Sequence, residues 1–234
     1  MIITIDGTIA TGKSTVAKKL AEEIGFIFFD TGAMYRTLTY AILKNCIDIH
    51  NAEQLADFLE KFELDIKVVK RERHYFVDGE DVTKKIRGEE VTSAVSEIAA
   101  SRAVRDKLIE IQRNLAVGVN AVFEGRDMGT TVFPDANLKI FLTGRDDVRA
   151  KRRYDELTTK YRESSEGLTL EKCLEDIIKR DTYDSSREYS PLSQAEDAYV
   201  IDTSDLSLEE IVYKILEFKD TRKTKQSPGT PKAT

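Results

Sequence analysis

GTIATGKST, Gly7 to Thr15, decides the reading of this chain: a glycine, four residues of any kind, then Gly-Lys-Ser mark a nucleotide phosphate loop. Ahead of it, Ile2 to Ile5 form a short apolar, β-branched run of the kind found in strands buried on both faces. Behind it, Val16, Leu20 and Ile24 recur at helical spacing from Lys13 to Ile24. Ala17 and Ala21 lie beside them, so one apolar stripe faces a sheet. Strand, loop and helix in that order turn the loop amides and the helix N-terminus toward the same phosphates. Lys13 then reaches the β- and γ-phosphates and Ser14 offers a hydroxyl to Mg²⁺. The whole loop, Gly7, Thr8, Ile9, Ala10, Thr11, Gly12, Lys13, Ser14 and Thr15, is expected to bind ATP or GTP.

The 234 residues suffice for one domain with an insertion, or two small ones. No apolar run approaches a membrane span and no signal-peptide pattern opens the chain, so a soluble, cytoplasmic protein is expected. Cys46 and Cys173 lie in helical patterns without metal-ligand spacing and read as packing residues. The net charge of −6 conceals a more acidic body, because five basic residues and the single acid Asp220 follow Phe218. An acidic body argues against a sequence-independent grip on nucleic acid but allows a local basic cleft for a small anion. The segment from Lys219 to Thr234 has no apolar periodicity and is expected to be disordered.

Phe26 to Phe29 are predicted as a second buried strand ending at Asp30. In DTGAMYR, Gly32 opens a helix with Met34, Leu38, Ile42 and Cys46 on one face; Thr31 sits at its cap position, and Arg36, taken alone, reads as a solvated surface charge. After an amphipathic helix over Asn51 to Phe62 come three short strands: Leu64 to Lys70, His74 to Val77, and Val82 onward, the last two joined by Asp78-Gly79. This meander is an insertion in an otherwise alternating β/α pattern. The helix from Glu89 to Ala99 turns Val91, Val95 and Ile98 inward while Ser96 looks elsewhere. Ser101 caps a longer helix with Arg105 off its apolar stripe.

Ala121 to Phe123 lead into EGRDMGTTVFP, which sets Arg126 and Asp127 just beyond the end of a strand, where open α/β sheets bind ligands. Leu138 to Leu142 form another strand, and the helix after it carries Arg149, Lys151, Arg152 and Arg153, then Lys160 and Arg162. Thr169 caps a helix on which Arg180, Asp184 and Arg187 share one stripe if the helix persists, either an ion-pair ladder or a polar wall. Ala198 to Ile201 are the last strand, and Ser207 with Glu210 form a capping box. Arginines converging from Arg36, Arg126, Arg180 and Arg187 imply an anionic acceptor, since a guanidinium fork matches phosphate oxygens. A monophosphate oxygen attacks without a general base, and none is evident; positioning and charge neutralisation suffice.

Six segments, IDG…GKST, DTGAMYR, EGRDMGTTVFPDA, RAKRR, KRDTYDSSRE followed by SPL, and VIDTS, resemble the bacterial cytidylate kinases among the nucleoside monophosphate kinases. The resemblance implies an α/β fold of the P-loop NTPase type: three layers around a central parallel sheet, an inserted monophosphate-binding domain with a small antiparallel sheet, and a mobile lid. Residues 1–57, 100–153 and 169–218 would form the core, 58–99 the insertion, 154–168 the lid and 219–234 a disordered tail. It implies Mg²⁺-dependent transfer of the ATP γ-phosphoryl group to CMP or dCMP, with UMP poorer, by a monomer without nucleic-acid or membrane partners.

By position, Thr31 and Arg36 would contact the acceptor phosphate side, Ser96, Arg105, Arg126 and Asp127 would surround the cytosine, and Arg180, Asp184 and Arg187 would address sugar and phosphates. Lys13, Arg126, Arg153 and Arg180 would be catalytic, Arg149 and Arg152 would join the ATP site, and Ser14 would ligate Mg²⁺. An acidic Asp127 suits cytosine, because it accepts from the exocyclic amine where uracil carries an acceptor. Two features depart from the family: Thr8, Ile9 and Ala10 replace Pro, a small residue and Gly, and the lid segment Leu157 to Gly167 is longer. A positive φ at Ala10 would cost about 1 kcal/mol. Two alternatives share the loop: a small-metabolite kinase of the shikimate type, and a nucleotide-dependent switch or RNA-binding ATPase.

Overall fold

The structure, a computed structural model, describes residues 1–69, 72–160 and 167–226. Five parallel strands form the central sheet: β1 (Ile2–Gly7), β2 (Ile27–Asp30), β6 (Ala121–Glu124), β7 (Leu138–Thr143) and β8 (Tyr199–Asp202), in the order β2-β6-β1-β7-β8. The phosphate-loop strand β1 is therefore central, and its Ile3 and Ile5 are fully buried. Helices α1 (Lys13–Ile24) and α8 (Leu208–Gln226) cover one face, and α2 (Thr31–Lys44) and α5 (Arg102–Leu115) the other, each with its own apolar cluster. The remaining helices are α3 (Ala52–Lys61), α4 (Glu89–Ile98), α6 (Asp146–Lys160) and α7 (Leu170–Ser185).

The insertion has its own antiparallel sheet, β3 (Asp65–Val69), β4 (Glu72–Val77) and β5 (Glu80–Asp81), with Asp78 and Gly79 both at positive φ in the hairpin turn. It does not have its own core. Tyr75, Val77, Val82 and Ile86 pack into the α2 and α5 cluster, which anchors the small sheet beside the large one.

Several local expectations are corrected. The second strand is β2, shifted to Ile27–Asp30, and it is an edge strand with Ile27 exposed, because β6 pairs with it on one side only. The third meander strand is Glu80–Asp81, and Val82 is a fully buried residue beyond it. Asp30, rather than Thr31, caps α2, its carboxylate accepting from the Ala33 amide at 2.8 Å. Ser101 occupies the α5 cap position without a side-chain hydrogen bond, whereas Thr169 accepts from Lys172 and the Ser207–Glu210 box forms. Cys173 is buried as expected, but Cys46 lies past the end of α2 and is exposed. The last helix continues through the supposed tail to Gln226. Lys70, residues 161–166 of the expected lid with Arg162, and the terminal 227–234 lie outside the described residues. Among the described residues no helix is long and apolar enough to cross a membrane.

Candidate active site

Parallel strands deliver their C-terminal ends to one edge of the sheet, and the register brings Asp30 of β2 opposite Glu124 of β6, beside the loop after β1. The loop leaves β1 at Gly7, where a Cβ would lie 2.1 Å from the Leu142 carbonyl oxygen, so only glycine fits. Ala10 takes the left-handed conformation, φ 61°, which its sequence position had put in question. Lys13 Nζ donates to the Thr8 carbonyl at 2.5 Å, and Thr11 Oγ1 donates to the same oxygen at 2.9 Å, closing the loop over the lysine. Ser14 Oγ donates to Glu124 Oε1 at 2.7 Å.

A cleft of about 1320 Å³ runs from this loop across the sheet edge, above the roughly 300–1,000 Å³ usual for one small ligand. Ile9 to Thr15 line one end of it. Arg36, Arg105, Arg126, Asp127, Arg180, Asp184 and Arg187 come together at the other, with Thr31 between. Arg152 and Arg153 also face the cleft. Ser96 and Arg149 do not: Val95 and Ala99 supply the α4 side, and Arg149 points behind the phosphate loop, donating to the Ile9 carbonyl and to Asp181. Gly7 and Thr8 likewise stay behind the lining.

Arg105, expected off the apolar stripe of its helix, is only 1% exposed. It is buried because Asp127 meets it: Arg105 Nη2 donates to Asp127 Oδ2 at 2.5 Å and Nη1 to the Ala99 carbonyl at 3.1 Å. Asp127 and Arg126 are set in place by Asp6, whose carboxylate accepts from the amides of Met128 at 2.9 Å and Gly129 at 2.8 Å in the single π-turn that follows. At Gly125 a Cβ would approach Thr31 Oγ1 to 2.8 Å, and that hydroxyl instead donates to the Glu124 carbonyl at 2.7 Å. Asp184 ties two arginines, accepting from Arg126 Nε at 3.0 Å and from Arg187. Helix α7 ends at Ser185, so Arg187 is not on its stripe; it folds back from beyond the helix end to reach Asp184.

Arg180 makes no hydrogen bond or ion pair among the described residues, and its Nε is buried without an acceptor. Burial, and then the charge of Arg126, lower its pKa to about 10. Burial foremost, with Arg126 adding to it, also holds the Lys13 ammonium well below its usual range. Burial and then neighbouring Asp30 push the Glu124 carboxyl up. Burial dominates all three shifts; at Lys13 and Arg180 the charge of Arg126 adds to it, and phosphate oxygens would relieve that part.

A family model described as Cytidylate kinase matches residues 3–221. The chain belongs to the cytidylate kinase family. It is 72% identical over 226 residues to a cytidylate kinase of Protochlamydia amoebophila (strain UWE25), covering 97% of this chain and 99% of that one. It is 45% identical to the cytidylate kinase of Bacillus subtilis (strain 168), over 92% of this chain and 94% of the other. A shikimate kinase structure from Bacteroides thetaiotaomicron shares the fold, with a TM-score of 0.50 at 15% identity over 94% of this chain and 98% of that one. The molecule is thus an ATP-dependent nucleoside monophosphate kinase, a phosphotransferase, on a P-loop scaffold.

Within this cytidylate kinase cleft, Glu124, Asp30 and Tyr35 were not singled out from the sequence as ligand-facing. A usable signal existed for the two acids, since both close a strand at the sheet edge where ligands bind. Among the described residues the buried hydroxyl of Tyr35 has no hydrogen-bond partner, and its ring lies under the Arg105 guanidinium, 5.2 Å from ring centroid to carbon. Nothing local in DTGAMYR distinguishes it from a core aromatic.

Proposed function

We propose that this kinase transfers the γ-phosphoryl group of ATP to CMP and dCMP, and to UMP less well. The observation that carries the reading is the buried Arg105–Asp127 pair facing the same cleft as the phosphate loop. Arg105 engages Asp127 Oδ2, which leaves Oδ1 to accept the exocyclic amine of cytosine. Uracil offers a carbonyl oxygen there, and two acceptors facing each other in a buried site are unfavourable. Arg126, Arg180 and Arg187 supply more positive charge than Asp184 balances, which suits the acceptor phosphate. Arg36, already hydrogen-bonded to Thr92 Oγ1 at 2.8 Å, adds a second contact on that side.

The acceptor phosphate oxygen is already anionic at neutral pH, so it attacks the γ-phosphorus directly once aligned. Lys13, Arg126 and Arg180, with Arg153 approaching from α6, stabilise the charge on the transferring group. Residues 154–168 act as the lid, excluding water so that ATP is not hydrolysed.

The residues fit a Mg²⁺ ion, because Ser14 and Glu124 present hard oxygen donors 2.7 Å apart and Asp30 lies near Glu124. The described residues hold no cluster of three or more His, Cys, Asp or Glu suited to a metal, so Ser14 and phosphate oxygens would be the direct ligands with the carboxylates behind them. When bound, the ion would supply positive charge to offset that of the triphosphate.

An assay of ADP release with CMP, dCMP, UMP and AMP tests the reading. Turnover should be highest with CMP and dCMP; robust phosphorylation of AMP with none of CMP would overturn it.

A further inference from the structure

We infer that Arg149 and Asp181 form a clamp that fixes the phosphate loop by its backbone at Ile9 and so holds Ala10 in the left-handed conformation that ATP binding requires. The Ile9 amide donates to Asp181 Oδ1 at 2.9 Å, and the Ile9 carbonyl accepts from Arg149 Nη1 at 3.0 Å. The same Nη1 donates to Asp181 Oδ2 at 2.5 Å, and Arg149 Nη2 donates to Asp146 Oδ1 at 2.5 Å. One ion pair therefore grips both peptide planes that flank Ile9.

The position of that grip matters for the next residue. The Ile9 carbonyl belongs to the peptide plane between Ile9 and Ala10, and the orientation of that plane sets the φ of Ala10. An alanine at φ 61° is disfavoured, because its Cβ crowds the following carbonyl where a glycine would not. A charge-assisted hydrogen bond from a guanidinium is strong enough to hold such a plane. The guanidinium is itself rigidly placed: Arg149 is 5% exposed and carries two aspartates.

Arg149 lies on α6 and Asp181 on α7, the two helices that enter and leave the lid segment. The clamp thereby ties the loop that receives the triphosphate to the base of the lid. Arg149 and Asp181 are positioning residues; neither lines the cleft.

The test measures ATP affinity by calorimetry, and steady-state KM for both substrates, on Asp181→Ala and Asp181→Asn, each with and without Ala10→Gly. Asp181→Ala should weaken ATP binding about tenfold, the loss of roughly one charge-assisted hydrogen bond, and leave the acceptor KM unchanged. Asp181→Asn, which keeps the shape and an acceptor oxygen, should weaken it less. Ala10→Gly should restore most of the affinity in both backgrounds, since glycine enters the left-handed region unaided. Should Asp181→Ala fail to fold, the Asp181→Asn pair carries the same comparison. ATP affinity within twofold of the parent, an equal loss for ATP and acceptor, or no recovery on adding Ala10→Gly would each overturn the clamp.

Discussion

Behind the phosphate loop, Arg149 and Asp181 turn inward and grip backbone atoms; across the cleft, Arg105, Arg126 and Arg187 are held by Asp127 and Asp184 yet still face the ligand space. The two arginine–aspartate groups use the same chemistry to different ends. On the loop side Arg149 is more than offset by Asp146 and Asp181, and no positive charge is left over for an anion. On the acceptor side the arginines outnumber the aspartates, and Arg180 forms no ion pair among the described residues. An arginine whose charge is fully offset shapes the protein, whereas a set with positive charge in excess waits for an anion. That distinction is more informative than the mere presence of arginines.

The contrast breaks most severely at the buried lysine of the phosphate loop. Lys13→Ala is expected to lower kcat/KM by about a thousandfold, as removal of a preorganised electrostatic group from a reacting centre does. A drop below tenfold in the ADP-release assay would contradict that role. Asp184→Asn should come next, at about a hundredfold, because a neutral amide leaves Arg126 and Arg187 without their shared partner. Its signature is an equal loss with CMP and UMP, since the damage lies on the phosphate side. Arg36→Ala should raise the KM of every acceptor by about tenfold and leave that of ATP alone. Unequal effects on CMP and UMP would move Arg36 to the base side of the comparison.

The smallest expected effect is a proton balance. Lys13 is depressed from 10.5 to about 7 by burial first and by Arg126 next, whereas bound phosphate oxygens favour the ammonium. The form that binds ATP is therefore the protonated one. Binding should take up protons, and ATP affinity should fall as pH rises from about 7 toward 10.5. Calorimetry in two buffers of different ionisation enthalpy reads the uptake directly; identical heats near pH 8 would contradict it.

Legibility in the sequence followed the range of the interactions concerned. Strand, loop and helix from Ile2 to Ile24 could be read because their signals are local: an apolar run, two glycines and one helical stripe. The hairpin at Asp78-Gly79 and the capping box at Ser207 were legible for the same reason. Arg105 was not, because its burial depends on Asp127, which is 22 residues away on another element. The Ile9–Asp181 bond spans 172 residues and no pattern around either residue announces it. The cap of α2 was misplaced by one residue because Asp30 and Thr31 are both good cap formers, and Thr31 turned out to bond Glu124 across the sheet edge. The last helix ran farther than its mixed Lys and Thr composition suggested. Convergence of the arginines on one cleft was an inference from residue type, and the geometry of their aspartate partners supplied what residue type could not.

The central claim is that Asp127, steadied by Arg105, chooses the base. Its most direct test offers equal concentrations of CMP and UMP together to the parent enzyme and to Asp127→Asn, and follows CDP and UDP by chromatography. The parent should form mainly CDP. The variant, whose amide can donate to uracil, should bring the ratio of products about tenfold or more closer to unity. An unchanged ratio in a variant that still turns over would contradict the account.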